Sequence, residues 1–461
     1  MSNAPVLIAT NPATGKPVRE VATLSDGQIE QALAAAQRAT ADWAGLGFAG
    51  RARILRRVAA LLREQSPRFE ALMREEMGKP SKEAPGEVGK AAWCAEHYAE
   101  HAEAYLADEV IASDASRSLV RYRPLGVILG ILPWNAPFWL ASRFFSPTLM
   151  AGNTCVMKHD PHVPGCAAAI AEVFVEAGAP SGVFQNLPVE TERVARVIED
   201  PRVQAVSFTG SERAGGIVAS TAAACIKHSV LELGGSDPAI VLADADLDKA
   251  ADTLVLSRMI NAGQSCIAAK RLIIEAPVYQ AMLDKLQSRM QDLKVGDPAN
   301  PETDIGPIAR KDLRDQLHRQ VSETIEAGAR CLMGGELPSG EGYYYPVTLL
   351  ADVEPQMTGA REETFGPVAV VMQAADAEQA MAMANDSPWG LAASVWTGRD
   401  DALDYASRLE SGQIVINGLV KTDPRLPSGG IKRSGFGREL GRHGIHEFVN
   451  AQQVWVGPAR G

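Results

Sequence analysis

The chain has 461 residues, of which 46% are hydrophobic and 22% are charged, and its formal net charge is -11 at pH 7. A chain of this length and composition is expected to fold into two or three domains with large cores, and widespread disorder is excluded. Because the net charge is acidic and the basic residues are scattered, binding to nucleic acid or to an anionic membrane surface is not expected. The six cysteines form no Cys-x-x-Cys pair, and the Met-Ser-Asn-Ala start lacks the regions of a signal peptide. We therefore expect reduced thiols and a cytoplasmic protein.

The N-terminal region is predicted to be helical. Ser25 is a suitable N-cap, and Ile29, Leu33 and Ala36 follow it at helical spacing. A second amphipathic segment extends from about residue 48 to residue 77.

The stretch from Pro124 to Ser142 contains no charged residue and is about as long as a membrane span. Its three prolines and Asn135 would break a helix in lipid and leave polar groups unpaired. We therefore predict a buried strand over 126–132 that runs into a loop.

Strand and helix candidates alternate after this point. The strand candidates are 126–132, 153–157, 183–187 and 205–208, and the helix candidates are 144–151, 164–177 and 191–199. This alternation predicts a parallel sheet with crossover helices, the doubly wound plan. It restarts after Gly235, with strand candidates at 238–242 and 271–274 and helix candidates at 247–259 and 278–290. A second α/β domain is therefore expected, with Gly234-Gly235 as the boundary.

Cys266 and Glu232 are the candidate catalytic pair. A lone cysteine most often packs as a small hydrophobic residue, but the polar Asn261 and Gln264 and the permissive Gly263 before Cys266 favour a nucleophile. Glu232 lies between two leucines and before a glycine pair, where burial would keep its carboxyl partly protonated and useful as a base. The other five cysteines lack such a context and are assigned to packing.

Seven motifs, taken together and in order, resemble the aldehyde dehydrogenase superfamily over essentially the whole chain. The motifs are Pro133-Trp134-Asn135, Lys158 after Gly152-Asn153-Thr154, Phe208-Thr209-Gly210-Ser211, Glu232-Leu233-Gly234-Gly235, Gly263-Gln264-Ser265-Cys266, Glu362-Glu363-Thr364-Phe365-Gly366-Pro367 and Asn417. The resemblance implies an α/β fold of two doubly wound parallel-sheet domains with a small β extension for oligomerisation. The implied segments are a cofactor-binding domain (1–106 and 125–235), a catalytic domain (236–440) and bridging segments (107–124 and 441–461).

The resemblance also implies the NAD(P)-dependent oxidation of an aldehyde to a carboxylic acid. Cys266 as thiolate would attack the carbonyl carbon, and Asn135 with the Cys266 backbone N–H would stabilise the oxyanion. Hydride would then leave to a nicotinamide, and Glu232 would activate the water that hydrolyses the thioester. An acylating enzyme, in which coenzyme A takes the acyl group, is an alternative, but such enzymes generally lack the glutamate base. A catalytically idle scaffold is disfavoured because all three catalytic residues are present.

The expected cofactor is NAD or NADP. The resemblance places Lys158 at the cofactor ribose and Gly210-Ser211 at a helix N-terminus near the pyrophosphate. Many members that prefer NAD have glutamate three residues after the lysine, whereas this chain has Pro161, so a 2′-phosphate meets less repulsion and either cofactor could serve. The residues assigned to the cofactor are Leu132, Pro133, Trp134, Lys158, Gly210, Ser211, Glu363 and Phe365.

The substrate assignment depends on a softer resemblance to the short bacterial succinate-semialdehyde dehydrogenases. Arg143 is suited to bidentate binding of a distal carboxylate, as succinic semialdehyde would require, and the alternative for it is a structural ion pair. Ile260 stands where some carboxylate-binding members have arginine, and Ser428 replaces the usual phenylalanine, which either enlarges the pocket or adds a hydroxyl donor. Aromatic and medium-chain aldehydes are therefore an alternative. The residues assigned to the substrate are Arg143, Trp139, Ile267 and Ser428.

No metal site is predicted, because His159 and His162 lack carboxylate or cysteine partners. The resemblance implies a homodimer or homotetramer. The segment 451–456 alternates suitably for an edge strand, which invites pairing with another chain.

Overall fold

The computed structural model describes residues 5–399 and 402–457. Its N-terminal part consists of β1 (Val6–Asn11), β2 (Lys16–Ala22), α1 (Asp26–Gly45), α2 (Gly47–Glu64), α3 (Ser66–Met77), α4 (Ala84–Tyr105), β3 (Glu109–Val110) and β4 (Arg117–Pro124). Ser25 caps α1 as predicted, since its hydroxyl accepts a hydrogen bond from the backbone N–H of Gln28. The segment 48–77, predicted to be continuous, is divided into α2 and α3. Pro67, in the first turn of α3, has no N–H to donate and so cannot continue the preceding helix.

Strands and helices alternate from residue 127 to residue 232, as predicted. The elements are β5 (Val127–Leu132), α5 (Pro137–Met150), β6 (Thr154–His159), α6 (Pro164–Glu176), β7 (Phe184–Asn186), α7 (Val194–Glu199), β8 (Val203–Thr209), α8 (Glu212–Ala224) and β9 (His228–Glu232). The five strands are parallel and lie in the order β9-β8-β5-β6-β7. The strand order reverses between β5 and β8, so the carboxyl ends of these two strands border the position at which doubly wound sheets bind dinucleotides.

The uncharged stretch from Pro124 to Ser142 contains β5 and the first part of α5. The helix begins at Pro137, earlier than the predicted residue 144, because proline suits the first turn of a helix, where the N–H has no intrahelical partner. Every residue of β5 and α5 is buried, so the stretch is apolar because it lies in the protein core. Within residues 5–399 and 402–457, no helix is long and apolar enough to cross a membrane.

A second sheet follows Gly235. Its part of the chain contains β10 (Pro238–Val241), α9 (Leu247–Met259), β11 (Arg271–Glu275), α10 (Tyr279–Gln291), α11 (Lys311–Glu326), β12 (Arg330–Met333), β13 (Thr348–Ala351), α12 (Thr358–Arg361), β14 (Val368–Ala374), α13 (Ala377–Asn385), β15 (Trp389–Gly390), β16 (Ala392–Trp396), α14 (Leu403–Arg408) and β17 (Gln413–Ile416). Seven of these strands form a sheet in the order β12-β13-β14-β11-β10-β16-β17, in which only the β12–β13 pairing is antiparallel.

The C-terminal part of the chain returns to the N-terminal half. It contains β18 (Ile431–Lys432), β19 (Gly435–Phe436), α15 (Gly441–His446) and β20 (Val449–Val456). β19 pairs with β9 and so joins the first sheet, although the predicted catalytic segment 236–440 includes it. β20 pairs with β4 and is an edge of the three-stranded sheet β20-β4-β3, so the predicted edge strand is confirmed. The boundaries of the predicted segments stay predictions, and their ends at residues 1–4 and 458–461 lie outside the described residues.

Candidate active site

Cys266 follows a sharply turned segment at the end of α9. A 3₁₀ turn covers Ile260–Gly263, in which Asn261 and Ala262 have φ values of 56° and 54° and Gly263 has 71°. Three successive residues in the left-handed region reverse the chain within a few bonds, and such a conformation is costly for alanine. A side chain at Gly263 would lie 2.1 Å from the carbonyl oxygen of Gly366, so only glycine fits there. The predicted role of Gly263 as the permissive residue of the turn agrees with these φ values.

Asn135 is held against this turn. Nδ2 of Asn135 donates a hydrogen bond of 3.1 Å to the Gln264 carbonyl oxygen. Nδ2 of Asn261 donates to the Asn135 carbonyl oxygen at 2.9 Å and to the Gln264 carbonyl oxygen at 3.1 Å. The structure therefore brings Asn135 and the segment before Cys266 together.

Lys270 was not predicted from the sequence, yet it is the buried cation nearest in sequence to Cys266. Its ammonium donates hydrogen bonds to the carbonyl oxygens of Ser265 (2.9 Å) and Cys266 (2.5 Å), and it forms an ion pair of 3.1 Å with Oε1 of Glu363. Burial raises the pKa of the Cys266 thiol to about 11, and the charges of Lys270 and Arg143 oppose the rise. The thiol is therefore mainly protonated at neutral pH and needs both a base and nearby positive charge to react.

Glu232 is buried beside Arg143 at the end of β9. Arg143 donates a hydrogen bond of 3.0 Å to Oε2 of Glu232, and it also forms an ion pair with Glu439. Burial raises the pKa of the Glu232 carboxyl above its usual range, and the Arg143 cation limits the rise. The charge of Glu232 also acts on the Cys266 thiol, so the predicted base and nucleophile belong to one electrostatic site.

Arg143 thus has the carboxylate partners of a structural ion pair, and its assignment to the substrate stays a prediction. Four buried polar atoms in the Arg143 cluster have no hydrogen-bond partner among the described residues: Nε of Arg143, Oε1 of Glu232, Oγ of Ser428 and Oε2 of Glu439, the last of which is ion-paired with Arg143. Buried polar groups are normally paired, so unpaired ones at one place indicate a position that a polar ligand or water can fill.

Ser428 reaches this region through a glycine-rich loop, residues 427–435. Its backbone N–H and carbonyl exchange hydrogen bonds of 2.7 and 2.8 Å with Glu439. A side chain at Gly429 would lie 2.8 Å from Oε1 of Glu232, so the glycine lets the loop approach the carboxyl closely. Glu439, which the sequence reasoning missed, therefore connects the loop to Arg143.

The other two residues assigned to the substrate differ in their surroundings. Trp139 is buried on α5, and the guanidinium carbon of Arg143, one helical turn later, lies 6.0 Å from the centre of its ring. The ammonium of Lys90 lies 4.3 Å from the same ring. Ile267 is half-buried and directly follows Cys266.

The residues assigned to the cofactor collect at the carboxyl ends of the first sheet. Leu132 ends β5, with Pro133 and Trp134 directly after it, and Lys158 and Gly210 lie at the same edge of the sheet on β6 and after β8. Ser211 is the N-cap of α8, and its hydroxyl accepts a hydrogen bond of 3.4 Å from the backbone N–H of Ala214. α8 begins three residues after the carboxyl end of β8, and the N–H groups of its first turn suit a pyrophosphate.

Two residues of the motif near residue 365 join the two halves of the site. Oε1 of Glu363 accepts a hydrogen bond of 3.2 Å from the backbone N–H of Gly235, and a side chain at Gly234 would lie 2.2 Å from Oε2 of Glu363. The rings of Phe365 and Trp134 meet edge to face with their centres 5.9 Å apart. Glu363 and Phe365 therefore lie beside the cofactor residues of the first sheet and beside Lys270 of the Cys266 turn.

Lys158 is only 7% exposed, and burial lowers the pKa of its ammonium. His159 is buried, its Nδ1 accepts a hydrogen bond from the Asp160 backbone N–H, and burial lowers the pKa of its imidazole to about 4. His162 pairs with the Asp160 carboxylate. Within the described ranges no three metal-ligating side chains cluster, and both histidines have structural partners.

Glu87 and Lys79, which were not predicted from the sequence, support the backbone at Asn135. Oε1 of Glu87 accepts hydrogen bonds from the backbone N–H groups of Phe138 (2.9 Å) and Trp139 (3.3 Å), which caps the start of α5. Lys79 forms a buried ion pair with Glu87 and donates a hydrogen bond of 3.3 Å to the Asn135 carbonyl oxygen. The pair fixes the backbone on which Asn135 and Trp139 stand.

The chain is similar to known aldehyde dehydrogenases in sequence and in structure. The model of the aldehyde dehydrogenase family matches residues 2–454. A "probable succinate-semialdehyde dehydrogenase" (NADP(+)) of Synechocystis sp. is 50% identical over 97% of this chain and 99% of its own length. A succinate semialdehyde dehydrogenase (NAD(P)+) of Escherichia coli is 46% identical over 97% of both chains. The crystal structure of succinic semialdehyde dehydrogenase from Streptococcus pyogenes in complex with NADP+ is 32% identical, with a TM-score of 0.96 over 98% of this chain and 100% of the other.

Proposed function

The chain belongs to the aldehyde dehydrogenase family, and we propose that it oxidises succinic semialdehyde to succinate with NAD or NADP as the hydride acceptor. The observation that carries the proposal is the joint placement of Cys266, Asn135 and Glu232. A thiol, an amide donor and a buried base with a raised pKa are the three groups that the reaction requires. Full-length relatives that are succinate-semialdehyde dehydrogenases support the choice of substrate.

The reaction begins with ionisation of Cys266. Glu232 takes the thiol proton, and the thiolate attacks the aldehyde carbon to form a thiohemiacetal. Nδ2 of Asn135 and the backbone N–H of Cys266 donate hydrogen bonds to the oxygen that gains negative charge. The chemistry that bound NAD or NADP supplies is acceptance of the hydride from this carbon, which leaves a thioester on Cys266. Glu232, having released its proton to solvent, then takes a proton from the water that attacks the thioester, and the acid leaves.

Glu232 favours hydrolysis over transfer of the acyl group to coenzyme A. Its carboxyl is buried and its pKa is raised, so it is a stronger base than an ordinary carboxylate. Arg143 keeps it able to ionise. A transfer to coenzyme A needs no base for water, so Glu232 would then serve only the ionisation of Cys266.

Lys158, Gly210 and Ser211 are proposed to hold the adenosine ribose and the pyrophosphate, and Glu363 and Phe365 the nicotinamide end. The residues fit such a cofactor, because a buried lysine and a helix N-terminus lie at the same edge of the sheet. Lys158 forms no ion pair among the described residues, and Pro161 stands where a carboxylate would repel a 2′-phosphate. We propose that the chain accepts both cofactors.

Arg143, Ser428, Trp139 and Ile267 are proposed to surround the substrate. The unpaired Arg143 Nε and Ser428 Oγ are buried hydrogen-bond donors, which suits a ligand that carries oxygen atoms. The buried Trp139 supplies the apolar wall that the methylene groups of the substrate require.

We propose a homodimer or homotetramer formed through the edge strand β20. Trp455 and Val456 on this strand are 49% and 47% exposed, and Val110 on the opposite edge strand β3 is 70% exposed. Unpaired edge strands with exposed apolar side chains favour pairing with another chain. We also propose a division into a cofactor-binding part (1–106 and 125–235), a catalytic part (236–440) and bridging segments (107–124 and 441–461). All six cysteines are free thiols, which supports the cytoplasm as the location.

Steady-state kcat/KM for a panel of aldehydes tests the proposed substrate. The panel contains succinic semialdehyde, glutaric semialdehyde, benzaldehyde and hexanal, each with NAD and with NADP. We expect succinic semialdehyde to give the highest kcat/KM with either cofactor. A higher value for benzaldehyde or hexanal would overturn the assignment in favour of aromatic or medium-chain aldehydes.

A further inference from the structure

Lys90, on α4, contacts two segments near the proposed substrate site. Its Nζ lies 4.3 Å from the centre of the Trp139 ring on α5. It also donates a hydrogen bond of 2.8 Å to Oγ1 of Thr422, in the loop after β17. Trp139 and Thr422 are both buried, so the ammonium lies between α4, α5 and this loop and not in open solvent. No motif marks Lys90 in the sequence.

Lys90 has no carboxylate partner among the described residues. The charged groups that act on it are Arg143, Lys421, Asp423 and the Cys94 thiol. Burial, together with the charges of Arg143 and Lys421, lowers the pKa of the ammonium to about 8, although Cys94 and Asp423 oppose the change. A largely buried cation without a counter-ion is unfavourable, and an arriving anion would stabilise it.

Asp423 does not provide that counter-ion. Its carboxylate is bound by Arg425, whose Nε and Nη2 donate hydrogen bonds of 2.9 and 2.6 Å. Lys90 instead has a neutral hydroxyl and the face of an indole ring as its neighbours. Because neither the hydroxyl nor the ring carries a negative charge, the ammonium can still bind a carboxylate.

Arg143, in contrast to Lys90, already has carboxylate partners. It is paired with Glu232 and Glu439, and a substrate carboxylate close to it would meet two carboxylates that carry or share negative charge. Trp139 lies within cation–π distance of both Arg143 and Lys90, so its ring connects the Cys266 end of the site to the Lys90 ammonium.

We propose that Lys90, with the Thr422 hydroxyl, binds the distal carboxylate of the aldehyde and thereby makes the enzyme selective for aldehydes that carry a carboxylate at the far end. Arg143 then acts on the reacting end, through Glu232 and Cys266. This inference rests on the proposed oxidation of succinic semialdehyde and assigns the group that recognises that substrate.

The test compares succinic semialdehyde with butanal, which has the same carbon chain without the carboxylate, at saturating NADP. Lys90→Met keeps the length and apolar stem of the side chain, Lys90→Arg keeps the charge, and Lys421→Met removes a neighbouring exposed charge as the matched control. We expect Lys90→Met to raise KM for succinic semialdehyde about tenfold or more, with kcat and the constants for butanal changed less than about threefold. Lys90→Arg should restore most of the affinity, and Lys421→Met should stay within about threefold for both aldehydes.

The wild-type enzyme is measured first. If it does not prefer succinic semialdehyde to butanal, the proposed function fails before the variants are considered. If it does and Lys90→Met keeps that preference, or loses both activities equally while its Tm and NADP affinity are unchanged, the role of Lys90 is refuted and the proposed function stands. If Lys90→Met does not fold, Thr422→Val decides. A KM rise confined to succinic semialdehyde supports the proposal, and equal constants for both aldehydes overturn it.

Discussion

The guanidinium of Arg143 donates a hydrogen bond of 3.0 Å to Oε2 of Glu232, and the two side chains are only 4% and 5% exposed. Burial raises the pKa of the Glu232 carboxyl, while the cation beside it favours the ionised form. The ion pair therefore lets the Glu232 carboxyl, whose pKa is raised, ionise and act as a base on the Cys266 thiol. The ion pair of Arg143 with Glu439 holds the guanidinium in place from the glycine-rich loop.

Asn135→Ala is expected to lower kcat/KM for succinic semialdehyde by about 10²–10³, the usual effect of removing one oxyanion donor. The rate of alkylation of Cys266 by iodoacetamide, measured on the same variant, separates this effect from damage to the turn. We expect the alkylation rate to change by less than about threefold. A loss of alkylation as large as the loss of kcat/KM would mean that Asn135 mainly positions the turn.

Lys270→Met is expected to raise the pKa of the Cys266 thiol, because it removes the cation that most opposes the effect of burial. Only the thiolate reacts, so the alkylation rate rises with pH up to the pKa and a higher pKa slows the reaction at any lower pH. Alkylation at pH 8 should be roughly tenfold slower if the pKa rises by about one unit. Lys270→Arg, which keeps the charge, is the control, and an unchanged pH profile of Lys270→Met would contradict the role of the ammonium.

Gly263→Ala is expected to destabilise the protein by about 2 kcal/mol or more, since a left-handed alanine and an overpacked contact each cost about 1 kcal/mol or more. The added side chain would lie 2.1 Å from the Gly366 carbonyl oxygen. Gly216→Ala is the matched control, because Gly216 is exposed on α8 and no atom lies within 4 Å of the added carbon. Thermal unfolding should show a lower Tm for the first variant and an unchanged or higher Tm for the second. Equal Tm values would show that the turn can relax.

The sequence predicted the features that depend on residues close together in the chain. Apolar runs of strand length marked the buried strands, and apolar spacing marked α9, whose predicted range 247–259 is the observed Leu247–Met259. The Gly263 turn carries its own signal, because a glycine and polar residues precede Cys266. The break between α2 and α3 was missed because the apolar spacing continues across it, although Pro67 marks the position at which the second helix begins.

The missing parts of the site depend on contacts between distant segments. Lys90 and Thr422 are 332 residues apart, and nothing near either one in the sequence indicates the other. Glu439 meets Arg143 only because β19 returns to the first sheet. Lys270 is an exception, since a lysine four residues after a nucleophilic cysteine could have been singled out for its charge alone.

The most direct test of the account is a pre-steady-state measurement on Glu232→Gln with succinic semialdehyde and NADP. Glutamine keeps the size of the side chain and cannot take the proton from water, so deacylation should be slowed more than acylation. We predict a burst of about one NADPH per active site, followed by turnover reduced by about 10²–10⁴. Turnover at the wild-type rate would contradict the assignment of Glu232 as the base that releases the acid from Cys266.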